Sequence, residues 1–291
     1  MNRIFTTLLM TGALVGAADF SYVEQTSITG GAMVKMAAMM GRLAKGMSDP
    51  VTTTHSYSGG KKASVSAKRH EILDLGAGTI TSINDAKQEY SVTTFAEMAQ
   101  LTKAMAEKGP RPAAGGADAD TKWKATFTKS DKTRQVAGVT ATGGTLRLDV
   151  EATEQKTSKS AAVRMDIDMW MGKVPGWEVK RDFDKQTGEK MGTQAGEMPA
   201  IAQGGTGMVE AMKEAGRQMS QLGEMQLASV HKVYSNGVPG AGETGPALLS
   251  ESTTEVLSFS SKVDPAVFQV PAGFKQVEHP MKKALERLNS K

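Results

Sequence analysis

Alternating apolar and polar residues mark three segments in the middle of the chain. From Val163 to Met171 every second residue is apolar, and the positions between them are mainly charged. Lys122–Thr128 and Thr145–Thr153 repeat this period of two, which is typical of a β-strand with one buried face. Three strands of this kind predict an antiparallel sheet that is covered on one side only.

Shorter strands are predicted around this segment. Val51–Ser58 and Lys61–Lys68 flank Gly59-Gly60, a two-residue connection that is typical of a tight hairpin. We predict about ten strands in total and a mainly β (α+β) fold. The remaining predicted strands are Asp19–Thr29, Ile72–Leu75, Thr79–Ile83, Gln88–Thr93, Met225–Tyr234 and Leu249–Val263.

Three or four helices are predicted, and methionine lines one side of most of them. A stripe at spacings of three and four predicts a helix in Gly31–Met47, and a second stripe predicts one in Gly207–Leu222. Thr94 and Glu97 form a capping-box pattern that predicts a helix start, and Pro280 is a favoured first helical residue. The stripes comprise Met33, Met36, Met40, Leu43 and Met47, then Phe95, Met98 and Met105, then Met208, Met212 and Met219.

The first eighteen residues have the pattern of a signal peptide. Arg3 precedes an uncharged, largely apolar run, and small residues at 15–18 fit a cleavage site. No cysteine follows that could be lipidated. We therefore expect a periplasmic or secreted protein whose residues 19–291 form a single domain, with flexible loops near 109–120 and 236–246.

Composition excludes several classes of function. The chain has no Cys, which excludes disulfides, thiolate metal sites and cysteine nucleophiles. A net charge of +4 without a basic cluster argues against nucleic acid. Nineteen Met residues against 5% aromatics indicate a deformable apolar interior, and we expect no cofactor because no phosphate-binding glycine loop is present.

Several segments resemble a family of exported bacterial proteins that is similar to the LolA/LolB lipoprotein carriers. These segments are Ile72-Leu73-Asp74-Leu75, Thr79–Asn84 with Tyr90 and Phe95–Met98, Asp166–Met171, and Val263–Phe274. The resemblance implies a strongly curved antiparallel sheet, or unclosed β-barrel, with helices across its open side. It also implies an apolar cavity between sheet and helices that holds acyl chains.

The sequence therefore predicts a monomeric, non-enzymatic binding protein for a lipid or other amphiphile, including a lipoprotein acyl chain, with only transient membrane contact. Methionine faces can repack around guests of different shape, which favours such a cavity. The predicted roof residues are Met33, Met36, Met40, Leu43, Phe95, Met98, Met208, Met212 and Met219, and the predicted floor residues are Trp123, Phe127, Leu146, Leu148, Met165, Ile167 and Met169.

Two other classes stay open. Met33, Met36, Met39 and Met40 have a spacing that could surround Cu(I), so copper handling is one alternative. An envelope structural protein without a small ligand is the other. Catalysis is not expected, because Ser58-Gly59-Gly60-Lys61 suits a turn and Asp166 and Asp168 lie on the predicted solvated face.

Overall fold

The computed structural model describes residues 19–32, 34–35, 39, 49–67, 69–108, 119–154, 160–191, 214, 216–217, 225–236 and 246–289. Residues 1–18, most of the two methionine stripes at 31–47 and 207–222, and the loop residues 109–118 and 237–245 lie outside this range. The predictions made for those residues, including the signal peptide, therefore stay predictions.

All described strands belong to one curved, unclosed sheet of twelve strands, which confirms the mainly β prediction. Their order across the sheet is β12-β6-β5-β4-β3-β2-β1-β11-β10-β9-β8-β7, and neighbours are antiparallel except for β12 and β6. The strands are β1 Phe20–Gly30, β2 Val51–Ser58, β3 Lys61–Ser66, β4 His70–Asp74, β5 Thr79–Asn84, β6 Glu89–Thr94, β7 Ala119–Val136, β8 Val139–Glu154, β9 Ser160–Gly172, β10 Met225–Ser235, β11 Ala247–Ser260 and β12 Lys275–Gln276.

The hairpin between β2 and β3 is confirmed in detail. Gly59 and Gly60 have φ angles of +56° and +75°, a region that side-chain-bearing residues rarely adopt. Because the connection has two residues, Ser58 pairs with Lys61 and His55 pairs with Ser64. The turn therefore fixes which side chains of β2 and β3 lie beside each other.

Two strands are much longer than predicted. β7 continues to Val136 and β8 begins at Val139, so their hairpin turns at Ala137-Gly138, both with positive φ. The register shifts between Lys129 and Thr133. Between these pairs β7 has three residues and β8 has one, and both predicted strands stop at this irregularity, at Thr128 and at Thr145.

Three α-helices are described, and one of them was not predicted. They are α1 Phe95–Lys108, α2 Trp177–Met191 and α3 Pro280–Asn289. α1 begins with the predicted capping box, since the Glu97 amide donates to Thr94 Oγ1 (3.1 Å) and the Thr94 amide donates to Glu97 Oε2 (2.9 Å). α2 escaped prediction because Phe183 is its one large buried side chain and charged residues fill most other positions.

The helices pack at one end of the sheet. α2 contacts β1 and β2, while α1 contacts β6, α2 and α3. Phe183 of α2 meets the Tyr57 ring edge-on, with 5.6 Å between centroids. We call the face of the sheet that carries Tyr57 the inner face. The first cluster is the hydrophobic core formed here, and its buried residues include Phe20, Tyr22, Tyr57, Leu75, Ile80, Phe95, Phe183, Leu227 and Val256.

Candidate functional site

A second apolar cluster lies on the inner face of β7, β8 and β9. Leu146 pairs with both Phe127 and Ile167, and Leu148 pairs with Met165, so these side chains share one face. Met169 is 1% exposed and Leu146 is 3% exposed. The second cluster consists of Leu146, Leu148, Met169 and Met171, with Ala125, Phe127, Met165 and Ile167 packed against them.

The predicted floor residues are thus brought together. Phe127, Leu146, Leu148, Met165, Ile167 and Met169 all belong to the second cluster. Trp123 lies in β7 opposite Val150. Within the described part of the chain, every hydrophobic side chain packed in this cluster comes from a strand.

The predicted roof residues are not brought to that floor where the structure describes them. Phe95 is 4% exposed and belongs to the first cluster, and Met98 packs against that cluster. Their apolar character is explained by that core. Met33, Met36, Met40, Leu43, Met208, Met212 and Met219 lie outside the described residues.

Polar side chains occupy the inner face between the two clusters. Ile167 of β9 pairs with His231 of β10, which pairs with Ser252 of β11. Two residues further along β9, on the same face, Met169 pairs with Ser229 of β10. The Ser229 hydroxyl lies 3.0 Å from His231 Nε2. Burial lowers the pKa of His231, so the neutral imidazole is favoured there. The inner face therefore changes from apolar to uncharged polar across neighbouring strands.

A carboxylate, an imidazole and a hydroxyl are joined by hydrogen bonds on β1, β2 and β3. Glu24 Oε1 lies 3.0 Å from His55 Nε2, and Ser64 Oγ lies 2.9 Å from His55 Nδ1. The Tyr22 ring stacks on the imidazole at 4.8 Å between centroids, which fixes the orientation of the ring. The His55 side chain is 12% exposed and that of Glu24 is 27% exposed.

Sequence reasoning missed this chain of hydrogen bonds, although a signal was present. The Gly59-Gly60 hairpin places His55 opposite Ser64 by counting outward from the turn. Glu24 could not be found in this way, because pairing of β1 with β2 depends on tertiary structure.

Lys62 lies two residues before Ser64, and both side chains are on the inner face. Its ammonium sits 5.7 Å from the centroid of the Tyr57 ring. Burial lowers the pKa of Lys62, although nearby Asp184 opposes this effect. Burial also raises the pKa of Tyr22 and of Tyr57, so both phenols stay protonated at neutral pH.

Charged groups on the opposite face of β8, β9 and β10 form ion pairs with one another. Asp166 accepts from Arg147 Nε at 2.9 Å and lies 3.2 Å from Arg164 Nε. Asp168 accepts from the Thr145 hydroxyl at 2.8 Å. These pairings satisfy the two carboxylates and give them a structural role on the sheet.

The chain was compared with protein-family models and with curated proteins. No family model matches the chain, and no curated protein matches it significantly. Among the described residues, no three His, Asp or Glu side chains are grouped so that they could hold a metal ion. Within the same residues, no helix is long and apolar enough to cross a membrane.

Proposed function

We propose that the protein is an exported binding protein for an amphiphile, and that the second cluster holds the acyl chain. The observation that carries this proposal is the separation of the two apolar clusters. Helices cover the first cluster, whereas the described hydrophobic neighbours of the second are all in its own strands. An apolar sheet face of this kind needs a covering layer.

The change in polarity along the inner face supports an amphiphilic guest. The paired residues Leu146, Ile167, His231 and Ser252 lie on four successive strands. Strands are spaced by about 4.8 Å, so this row spans about 14 Å from aliphatic to hydroxyl side chains. An acyl chain over β8 and β9 would thus place its headgroup near β10 and β11.

Hydrophobic contact would supply much of the free energy of binding. Each buried methylene contributes about 0.8 kcal/mol, so burial of half of a long chain outweighs much of the cost of association. Methionine suits such a surface because its unbranched side chain adapts to guests of different shape. Met165 and Met169 are the described methionines of the floor.

Binding is tested with a fluorescent long-chain fatty acid and two variants of β7. Phe127→Asp puts a charge into the second cluster, whereas Thr126→Asp puts the same charge on the exposed opposite face beside Arg147. We expect Phe127→Asp to weaken binding at least tenfold and Thr126→Asp to bind as the unaltered protein does. Equal binding by both variants would contradict the proposal.

Native mass spectrometry of the protein isolated from its own cell envelope identifies the bound molecule. We expect a lipid-sized adduct. A copper-sized adduct would support the metal alternative, and a bare protein that also fails to bind the fatty acid would support an envelope structural role.

A further inference from the structure

Three hydrogen-bonded side chains are arranged as an acid, a base and a nucleophile. Glu24 is the acid, His55 is the base and Ser64 is the nucleophile. Each is held by a different strand, and the strands are neighbours in the sheet. Such a chain activates a serine when the imidazole accepts from the hydroxyl and the acid orients the imidazole.

The hydrogen-bond partners of His55 indicate which of its two ring nitrogens carries a proton. An ionised carboxylate only accepts, so the His55 nitrogen that faces Glu24, Nε2, carries the proton. In the neutral ring Nδ1 is then an acceptor, and the Ser64 hydroxyl donates to it. The roles of the two ring nitrogens are exchanged relative to the serine proteases, but the direction of proton transfer is the same.

We propose that Ser64 is a nucleophile activated by His55, and that this site hydrolyses carboxylic esters. This proposal is independent of the proposed function, because Glu24, His55 and Ser64 lie on β1, β2 and β3 and not in the second cluster. Ser64 is half-buried.

The reaction balances with water as the only co-reactant. Ser64 Oγ bonds to the ester carbonyl carbon while its proton passes to His55 Nδ1. The bond from that carbon to the alcohol oxygen then breaks, and the alcohol leaves with the proton. Water attacks the acyl-serine by the same route, which releases the carboxylic acid and restores the Ser64 hydroxyl.

Neighbouring groups fit this chemistry. Tyr22 stacks on His55 and limits rotation of the imidazole. Lys62 lies two residues before Ser64 on the same face of β3, with its ammonium 5.7 Å from the centroid of the Tyr57 ring. Glu24 is a positioning residue, because it acts through His55.

The test uses an ethyl fluorophosphonate, which bonds through phosphorus to an activated serine with loss of fluoride. We expect one adduct on the folded, unaltered protein, mapped by peptide mass spectrometry to Ser64. Absence of an adduct, or an adduct at another serine, would overturn the proposal without the need for any variant.

Variants then separate catalysis from structure. Ser64→Ala should abolish labelling, whereas Ser82→Ala should retain it, since Ser82 lies on the same row of the inner face two strands away. His55→Gln should slow labelling and the hydrolysis of a nitrophenyl ester by about a hundredfold or more. Glu24→Gln should slow both, and Glu24→Asp should restore part of the rate. If His55→Gln reacts as fast as the unaltered protein, His55 is not the base and the proposal fails.

The two proposals fail separately. Phe127→Asp should lose fatty acid binding yet keep labelling by the short ethyl probe, because Phe127 belongs to the second cluster and not to the serine site. Labelling of Ser64 without fatty acid binding would remove only the proposed function. Fatty acid binding without labelling would remove only the esterase.

Discussion

The two apolar clusters differ in the elements that contribute their side chains. The first combines strand residues such as Tyr57 with helix residues such as Phe95 and Phe183, and its aromatic rings contact one another. The second contains aliphatic and methionine side chains of three adjacent strands, with Phe127 as its one described aromatic ring. Among the described residues, helices cover the first cluster, whereas the side chains packed in the second come from strands alone. Under our proposal, the apolar surface of one sheet serves stability in the first cluster and binding in the second.

The largest effect should come from removing the aromatic ring that joins α2 to the sheet. Phe183→Ala leaves a cavity beside Tyr57 and should lower the free energy of unfolding by about 3–5 kcal/mol. Met165→Ala, in the half-buried part of the second cluster, should cost about 1 kcal/mol. Denaturant unfolding measures both. Equal losses would mean that the second cluster is an ordinary core, and Lys185→Ala on the exposed side of α2 serves as the control.

Adding one methyl group to a glycine in each cluster gives a finer comparison. At Gly172 a Cβ would lie 2.5 Å from Leu227 Cδ1 and 3.0 Å from Val139 Cγ1, so Gly172→Ala should destabilise by about 1–3 kcal/mol. At Gly144 the nearest atom is Cζ of the half-buried Phe127 ring, at 2.8 Å. That ring can move, so Gly144→Ala should cost less. The opposite order of unfolding midpoints would show that the second cluster is the more rigid one.

Removal of a buried hydroxyl near the first cluster should increase the stability of the protein. Thr93 is 1% exposed, pairs with Ile80, and its hydroxyl has no hydrogen-bond partner among the described residues. Thr93→Val should therefore raise the free energy of unfolding by about 1 kcal/mol, because an unsatisfied polar atom is removed. Thermal unfolding measures the change, and Thr94→Val, which removes the helix cap, should act in the opposite direction.

The smallest effect concerns the contact between α1 and α3. Lys282 Nζ donates to Glu97 Oε1 at 2.7 Å, and this bond, together with those from Thr94, lowers the pKa of Glu97 to about 2. Because the folded pKa lies below the ordinary value, the stabilisation is complete above about pH 4.5 and is lost as the pH falls towards 2. The midpoints of the unaltered protein and of Glu97→Gln should thus differ at pH 7 and converge near pH 2. A constant difference would show that the charge of Glu97 is not responsible.

The sequence predicted correctly those elements whose structure is determined by residues close together in the chain. The Gly59-Gly60 hairpin, the capping box of α1 and the alternation in β8 and β9 each depend on neighbouring residues, and all are present. α2 depends on tertiary packing, and the extension of β7 follows a bulge. Neither can be recognised from the spacing of hydrophobic residues.

The candidate sites divide in the same way. The six described floor side chains could be assigned to one face because strand alternation alone places them there. Phe95 and Met98 could not be assigned to the correct cluster, since a helical stripe shows which side is buried and not what it meets. Glu24 reaches His55 only through the pairing of β1 with β2.

The position of β1 has a consequence for the order of folding. The first described strand lies between β2 and β11, and the hydroxyl of Ser21 donates to the carbonyl of Ser260, 239 residues later. Pairing across such a separation is slow, because the entropy of closing the loop precedes the gain from contact. The middle of the sheet cannot be completed until nearly the whole polypeptide has been synthesised.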